Sequence, residues 1–410
     1  MLRSAPLQVR QALSGSTLLF AAMMVVNVLN YGYALVLGRL FGPVQYGAYA
    51  SFMSLFLLVS LLPLTLQQVG AKYAAAGTSV VGYTSRLALL TGGALGLGLV
   101  LTAGPLSELI RLPQAWLVGL GVTLPFYALL GSLRGEVQGR RVFARLGVNL
   151  VLEHALKIAL TPLALLAAPM ASGAVLATLA ALPLTLAQVW TDLKAKTLSV
   201  VSRAEVRRYA LPIAVGLSAQ AVIINSDVLM VNALLPAEDA GLYAAVALVG
   251  RVVFYGSWAI SAALFPMVAA RQQEGKPHRD LLALGLGGVA LVSLLITAVC
   301  AVAPNLVVRA LFGEAYLAGA ALVAPYALMT TLYALANVVS SHYLALGGHR
   351  AGYVPLVGAL AQVAFVFLLH NTTLQVIYAQ FAAKGGLLAL LLLSAALGWF
   401  TKGRSKHVVP

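Results

Sequence analysis

Charged residues are scarce in this chain of 410 residues: Lys, Arg, Asp and Glu together make up 9% of it, and 61% is hydrophobic. A soluble globular domain carries about 25% charged residues. With so few polar groups, a water-soluble fold would not cover its own core. The alternative solvent is a lipid bilayer, which requires runs of about 20 apolar residues. The sequence contains such runs repeatedly, for example at 281–302.

Cysteine, histidine and acidic residues are also few. The single cysteine, Cys300, excludes an intrachain disulfide. The six histidines show no pair at metal-ligand spacing, so we expect no metal and no cofactor. The 11 acidic residues form no Ser/His/Asp set, Asp-x-Asp pair or nucleotide-binding loop. We therefore expect that the chain is not an enzyme, and that an ion gradient or consumption of the substrate drives any transport.

Twelve apolar segments between residues 16 and 400 have the length of membrane-spanning helices, which satisfy their own backbone hydrogen bonds in hydrocarbon. With a cytoplasmic N terminus, most Lys and Arg of the connecting segments, Arg134 among them, fall on the inner side. The outer loops then hold only Arg39, Arg111 and Arg309. This bias follows the positive-inside rule and accounts for the net charge of +15 without nucleic acid. It predicts a multi-pass membrane protein with both termini in the cytoplasm.

The two halves of the chain repeat each other. Residues 40–49 join the first two spans, and residues 234–243 join the seventh and eighth with the same Gly-x-Tyr pair. Because each half has six spans, the matching loops face the same side and the repeat is parallel. We predict an all-α protein with an N-terminal six-helix lobe at 1–195, a cytoplasmic linker at 196–208 and a C-terminal six-helix lobe at 209–410.

Four segments carry a family resemblance: GRLFGPVQYGAY at 38–49, GLY at 241–243 after Asp227, LFP at 264–266 and LFGEAY at 311–316. In order and spacing they resemble the multidrug/oligosaccharidyl-lipid/polysaccharide exporter superfamily, and within it the Wzx-type polysaccharide flippases. The resemblance implies two six-helix lobes around a central cavity, a location in the bacterial inner membrane and transport by alternating access.

The same resemblance implies a cargo and partners. The cargo is an undecaprenyl-diphosphate-linked oligosaccharide used in polysaccharide biosynthesis, such as that of lipopolysaccharide or exopolysaccharide. Membrane lipids surround the protein, and a polysaccharide polymerase or glycosyltransferases of the same pathway are candidate protein partners.

Five charged residues fall inside the predicted spans. A charged side chain there costs roughly 2.5 kcal/mol or more, so each needs a partner or a water-filled cavity. Three are basic and two are acidic, namely Lys157, Arg251, Lys384, Glu153 and Asp227. The surplus of basic groups favours an anionic cargo.

Arg251 is the leading candidate for cargo binding. It lies about ten residues into the eighth span, near the middle of the membrane at about 1.5 Å per residue. Tyr255 and Trp258 follow at i+4 and i+7 and share its helix face. A guanidinium suits a diphosphate, and aromatic rings suit the apolar faces of sugars. The alternative is a structural arginine bound to helix carbonyls. The resemblance supports the binding role, because related flippases line their cavity with cationic residues.

Asp227 lies in the outer half of the seventh span. The seventh and eighth spans form a hairpin, so we expect Asp227 to approach Arg251. Two roles stay open for it: coupling of transport to a proton or cation, and a counter-charge for Arg251.

The other polar residues of the spans are weighed in the same way. Glu153 and Lys157 form an i,i+4 pair that is either structural or part of a polar cavity wall, with Glu153 protonatable. Asn27 and Tyr31 share one face of the first span and either line the cavity or hold helices together. Lys384, near the outer end of the last span, is expected to snorkel to the membrane surface.

Three other classes of function compete with the flippase. One is a non-transporting membrane scaffold, against which no feature of the sequence argues. A multidrug/cation antiporter of the same fold would need an acidic cavity, which the three basic intramembrane residues argue against. An integral membrane glycan polymerase or ligase would carry a large outer loop, which the predicted topology lacks.

Overall fold

The computed structural model of the chain describes residues 7–190, 203–346 and 352–397, and all regular structure within them is helical. In chain order the elements are α1 (Leu7–Val59), α2 (Leu61–Ala75), α3 (Val81–Leu101), α4 (Ala103–Ile110), α5 (Gln114–Gly139), α6 (Phe143–Ala167), α7 (Ala171–Trp190), α8 (Arg203–Leu234), α9 (Ala237–Gln273), α10 (Arg279–Val302), α11 (Pro304–Leu311), a 3₁₀ helix (Glu314–Leu322), α12 (Val323–Ala345), α13 (Val354–Leu368) and α14 (Thr373–Ala396).

The predicted membrane class is confirmed. Within the described ranges, 10 helical segments are long and apolar enough to cross a membrane, and Val354–Leu368 is a shorter apolar helix. The first of the ten, Thr17–Ala75, has 59 residues and contains two predicted spans. Within the described residues, each of the twelve predicted spans therefore overlaps one of these helical segments.

Helix α1 is divided by a kink. Its 53 residues would extend about 80 Å as one straight helix, far more than the roughly 30 Å of a bilayer core. Gly42 adopts φ 71°, which glycine tolerates, and Pro43 lacks the N–H that would continue the helical ladder. The glycine–proline pair therefore separates the first two spans.

The described contacts divide the chain into two compact units. The first comprises Met1–Phe41 and Ala48–Leu217, and the second comprises Gly42–Gly47 and Ser218–Pro410. The division falls inside α8. Of the predicted linker, residues 196–202 lie outside the described residues, and residues 203–208 form the beginning of α8.

In the first unit, α5 packs against α2, α3 and α7, and α6 packs against α7. The contact of α5 with α2 is close because it uses glycine. A Cβ at Gly131 would lie 2.3 Å from the carbonyl oxygen of Pro63, and one at Gly135 would lie 2.5 Å from that of Gln67. Small residues four apart let two helix backbones meet in this way. This approach brings the polar end of α5 next to α2.

In the second unit, α12 packs against α9, α10 and α14, and α13 packs against α14. Its core includes Ile223, Phe254 and Tyr333, and the rings of Phe254 and Tyr333 stack at 5.3 Å. The helices that carry Asp227, Arg251 and Lys384 are thereby held together.

Candidate functional site

The first unit contains a cavity of about 390 Å³, which is within the range of small-molecule sites. Helices α1, α2, α5, α6 and α7 form its wall, which is largely apolar on the side of α1. The polar residues of the wall that matter below are Asn30, Gln67, Arg134, Gln138, Glu153, His154 and Lys157.

Arg134 is the central polar residue of this cavity. Its Nη2 lies 2.7 Å from Oε2 of Glu153, and the two side chains are 7% and 15% exposed. Its Nε donates a 2.7 Å hydrogen bond to Oδ1 of Asn149. The assignment of Arg134 to a cytoplasmic loop is therefore wrong: α5 extends beyond the predicted span to Gly139, and the side chain turns inward.

Asn149 holds the arginine in place. It is fully buried, and its Nδ2 donates to the carbonyl oxygen of Thr185 at 3.0 Å and to Oε1 of Gln188 at 2.5 Å. Both acceptors lie on α7. With its amide nitrogen committed to α7, Asn149 presents its oxygen to Arg134. The position of the guanidinium thus depends on three helices.

Lys157 lies one turn beyond Glu153 on α6 but does not pair with it. Its Nζ donates to Oδ1 of Asn30 at 2.8 Å and lies 4.7 Å from the ring centroid of Tyr33, a cation–π contact. The hydroxyl of Tyr33 is bonded to Thr161 at 2.7 Å. The predicted Glu153–Lys157 pair is therefore wrong. A buried ammonium is held by neutral groups, with no ion pair among the described residues.

Amide and aromatic groups complete the wall. Gln67 donates to Gln138 at 2.8 Å across the glycine-mediated contact of α2 and α5. Phe56 and Tyr127 stack with centroids 5.0 Å apart. This combination of cations, amides and ring faces is suited to a ligand that has anionic and hydroxyl groups.

The first-span candidates lie elsewhere. Asn27 is exposed and Tyr31 is half-buried, and neither is among the described residues that line the cavity. On the same helix it is Asn30 that reaches the cavity and contacts Lys157.

Asp227, in the second unit, is fully buried. Its Oδ2 accepts hydrogen bonds from the hydroxyls of Tyr243 at 2.9 Å and Tyr326 at 2.7 Å. Its Oδ1 has no hydrogen-bond partner among the described residues. The expected ion pair with Arg251 is therefore not formed, because the two tyrosines take that place.

Lys384 does not snorkel, contrary to expectation. Its side chain is buried, and Nζ donates to Oε1 of Gln380 at 2.9 Å and to Sδ of Met329 at 2.9 Å. Gln380 in turn donates to the hydroxyl of Tyr243 at 2.6 Å. A directed chain of donors therefore runs from Lys384 through Gln380 and Tyr243 to Asp227, and each bond polarises the next.

Arg251 lies in α9 and is half-buried, with Nη2 3.4 Å from Oδ1 of Asn225. Together with Lys384 it lines a cavity of about 20 Å³. This cavity has room for about one water molecule. Tyr255 is 48% exposed and its ring contacts Phe254. Trp258 lies on α9, and its side chain is outside the described part of the structure.

Sequence reasoning missed Arg134, Asn30 and the tyrosines that hold Asp227. One signal was available for Arg134, since Arg134 and Gln138 are four residues apart and Asn149, Glu153 and Lys157 also repeat every fourth residue. Two polar stripes on consecutive helices predict a shared polar interface. No signal in the sequence indicated which tyrosines reach Asp227.

No protein-family model and no curated protein sequence matches the chain. Solved structures match it in fold. An inward-facing multidrug resistance MATE family transporter of the MOP superfamily aligns with 95% of this chain and 100% of its own, with a TM-score of 0.77 at 15% identity. The lipid II flippase MurJ, in an inward closed conformation, aligns with 94% of this chain and 89% of its own, with a TM-score of 0.72 at 12% identity.

A third match is a MOP superfamily transporter from Pyrococcus furiosus, for which a reversed polarity of the binding pocket is described. It aligns with 96% of each chain, with a TM-score of 0.62 at 16% identity. The chain therefore has the fold of MOP superfamily transporters. The resemblance noted in the sequence is confirmed at the level of this fold.

Proposed function

We propose that this chain is a flippase that moves an undecaprenyl-diphosphate-linked oligosaccharide across the bacterial inner membrane by alternating access. The observation that carries the proposal is the polar wall of the cavity in the first unit. The charged groups of this wall are two cations, Arg134 and Lys157, and one carboxylate, Glu153. With His154 neutral, the net charge of the wall is therefore positive.

The chemistry of the wall fits the two parts of such a cargo. A guanidinium binds phosphate oxygens in a bidentate manner, and Lys157 adds a point charge one turn away from Glu153. Gln67 and Gln138 offer amides to sugar hydroxyls, and the Phe56–Tyr127 stack offers a ring face. The likeness in fold to a lipid II flippase supports transport of a lipid-linked cargo.

Arg251, Tyr255 and Trp258 are proposed as a further contact for the cargo, since they share one face of α9. Asp227 is proposed as a coupling residue, since its carboxylate is buried among neutral donors.

The second candidate is a multidrug/cation antiporter. The match in fold to a multidrug transporter favours it, and Glu153 supplies one acidic group inside the cavity. The flippase is preferred, because an antiporter for cationic drugs would place Arg134 and Lys157 against a cargo of their own charge.

The test is reconstitution of the full chain in proteoliposomes with a fluorescent lipid-linked oligosaccharide. Arg134→Ala is expected to slow translocation by about tenfold or more, because it removes charge-assisted hydrogen bonds worth about 1.5–3 kcal/mol. Arg86→Ala is the matched control, since Arg86 is an exposed arginine of the same unit. Efflux of a cationic dye by the wild type, with no translocation of the glycan lipid, would establish the antiporter instead.

A further inference from the structure

The bond between Arg134 and Glu153 occupies the group that an anionic cargo needs. Glu153 Oε2 lies 2.7 Å from Nη2, and Asn149 Oδ1 lies 2.7 Å from Nε. Nη2 also donates to the carbonyl oxygen of Asn149 at 3.5 Å, whereas Nη1 has no hydrogen-bond partner among the described residues. The Arg134 side chain lines the cavity. A phosphate group that binds Nη1 and Nη2 together must therefore meet the carboxylate of Glu153 at Nη2.

Two anions at one guanidinium nitrogen repel each other, and burial strengthens the repulsion because little water is present to screen it. The 2.7 Å hydrogen bond from Nε to Asn149 Oδ1 favours the present position of Arg134. Glu153 can relieve the repulsion by accepting a proton, which also turns it into a donor toward the phosphate. Arg134 cannot relieve the repulsion by a change of protonation, because a guanidinium does not lose its proton in proteins.

The titratable and charged groups around Glu153 are few. From α5 they are Arg134 and Tyr127, and on α6 itself they are His154 and Lys157. Lys157 is engaged with Asn30 rather than with Glu153. Once a phosphate group binds the guanidinium of Arg134 in place of Glu153, no basic group of the described structure is in hydrogen-bond contact with the carboxylate of Glu153.

We propose that binding of the diphosphate of the cargo displaces Glu153 from Arg134 and that Glu153 then takes up one proton, so that a proton enters the cavity with each cargo molecule. The proton comes from a hydronium ion of the aqueous phase, which leaves as water, and no bond of the cargo breaks. The inference rests on the proposed function, because it requires an anionic cargo at Arg134.

The direction of the pH dependence follows from linkage. Glu153 is ionised in the empty state, where it holds Arg134, and protonated in the loaded state. The loaded state therefore binds more protons, so lower pH tightens binding, by up to about tenfold per pH unit.

The experiment is isothermal titration calorimetry of the full-length protein in nanodiscs with farnesyl diphosphate as the probe, with empty nanodiscs as the blank. Titrations in two buffers of different ionisation enthalpy give the number of protons taken up. The wild type is expected to take up about one proton more per bound probe than Glu153→Gln, which keeps an acceptor for Arg134 but cannot titrate. Ionisation of the probe itself affects both proteins equally and cancels in the difference.

His154→Gln is the matched control, since His154 is the neighbouring titratable residue and its Nδ1 contacts the carbonyl oxygen of Leu150. It is expected to retain the additional proton. Equal proton uptake by the wild type and Glu153→Gln, or loss of the additional proton in His154→Gln alone, overturns this inference and leaves the proposed function standing. Absence of saturable binding of farnesyl diphosphate to the wild type would contradict the proposal that the cargo is anionic, and this inference with it. Size-exclusion chromatography verifies that each variant is folded.

Discussion

Gly241 packs so closely against Pro43 that a Cβ at Gly241 would lie 2.0 Å from the carbonyl oxygen of Pro43. A Cβ at Gly47 would in turn lie 2.8 Å from the Cα of Gly241. Gly47 and Gly241 are the glycines of the two matching Gly-x-Tyr pairs in the sequence repeat. The equivalent positions of the two halves thus meet each other, within the second unit.

Gly241→Val is expected to destabilise the protein by about 1–3 kcal/mol, because its side chain forces the 42–47 segment away from α9. Thermal unfolding of the purified protein measures the effect. Gly386→Ala serves as the control. It lies in α14 with nothing near its absent Cβ, so it is expected to be neutral or slightly stabilising. Equal stability of Gly241→Val and wild type would show that the 42–47 segment can move away from α9 without a measurable loss of stability.

Lys384 and Asp227 are expected to compensate each other through Gln380 and Tyr243. Lys384→Met or Asp227→Asn alone leaves one buried charge without its counterpart, which costs about 3–5 kcal/mol for directly paired groups and less across two intervening residues. The double variant is expected to be more stable than either single variant. Thermal unfolding of all four proteins completes the cycle, and strictly additive losses would mean that the two charges act independently.

Arg251 is expected to contribute to transport. Arg251→Ala is expected to abolish translocation of the lipid-linked glycan while the protein still inserts into the membrane. Arg251→Lys is expected to keep partial activity, since it retains the charge but loses the planar fork. Translocation in proteoliposomes and expression level are the two measurements. Normal translocation by a well-expressed Arg251→Ala protein would show that Arg251 is not needed for transport of the cargo.

The predicted membrane topology can be tested by cysteine labelling in a Cys300→Ala background. Cysteines at Glu238 and Glu314, which are exposed, are expected to react with an impermeant reagent added outside the cell. A cysteine at Lys196 is expected to react only after the membrane is opened. Labelling of position 196 from outside would contradict the predicted orientation.

The sequence by itself determined the class of fold and the number of spans. Both depend on local properties: the length of apolar runs sets where a helix crosses the bilayer, and Gly42 with Pro43 is enough to divide α1. The resemblance in its loop motifs was likewise readable without coordinates. These features need no knowledge of which helix lies beside which.

Only the tertiary structure decided how the buried charges are paired. Glu153 was expected to pair with Lys157, four residues away, yet it bonds to Arg134 on the preceding helix. Asp227 was expected to meet Arg251, yet it bonds to tyrosines of α9 and α12. A spacing of four residues identifies a shared helix face. The partner of a buried charge is the group that other helices bring within about 3 Å, and helix packing alone sets that distance.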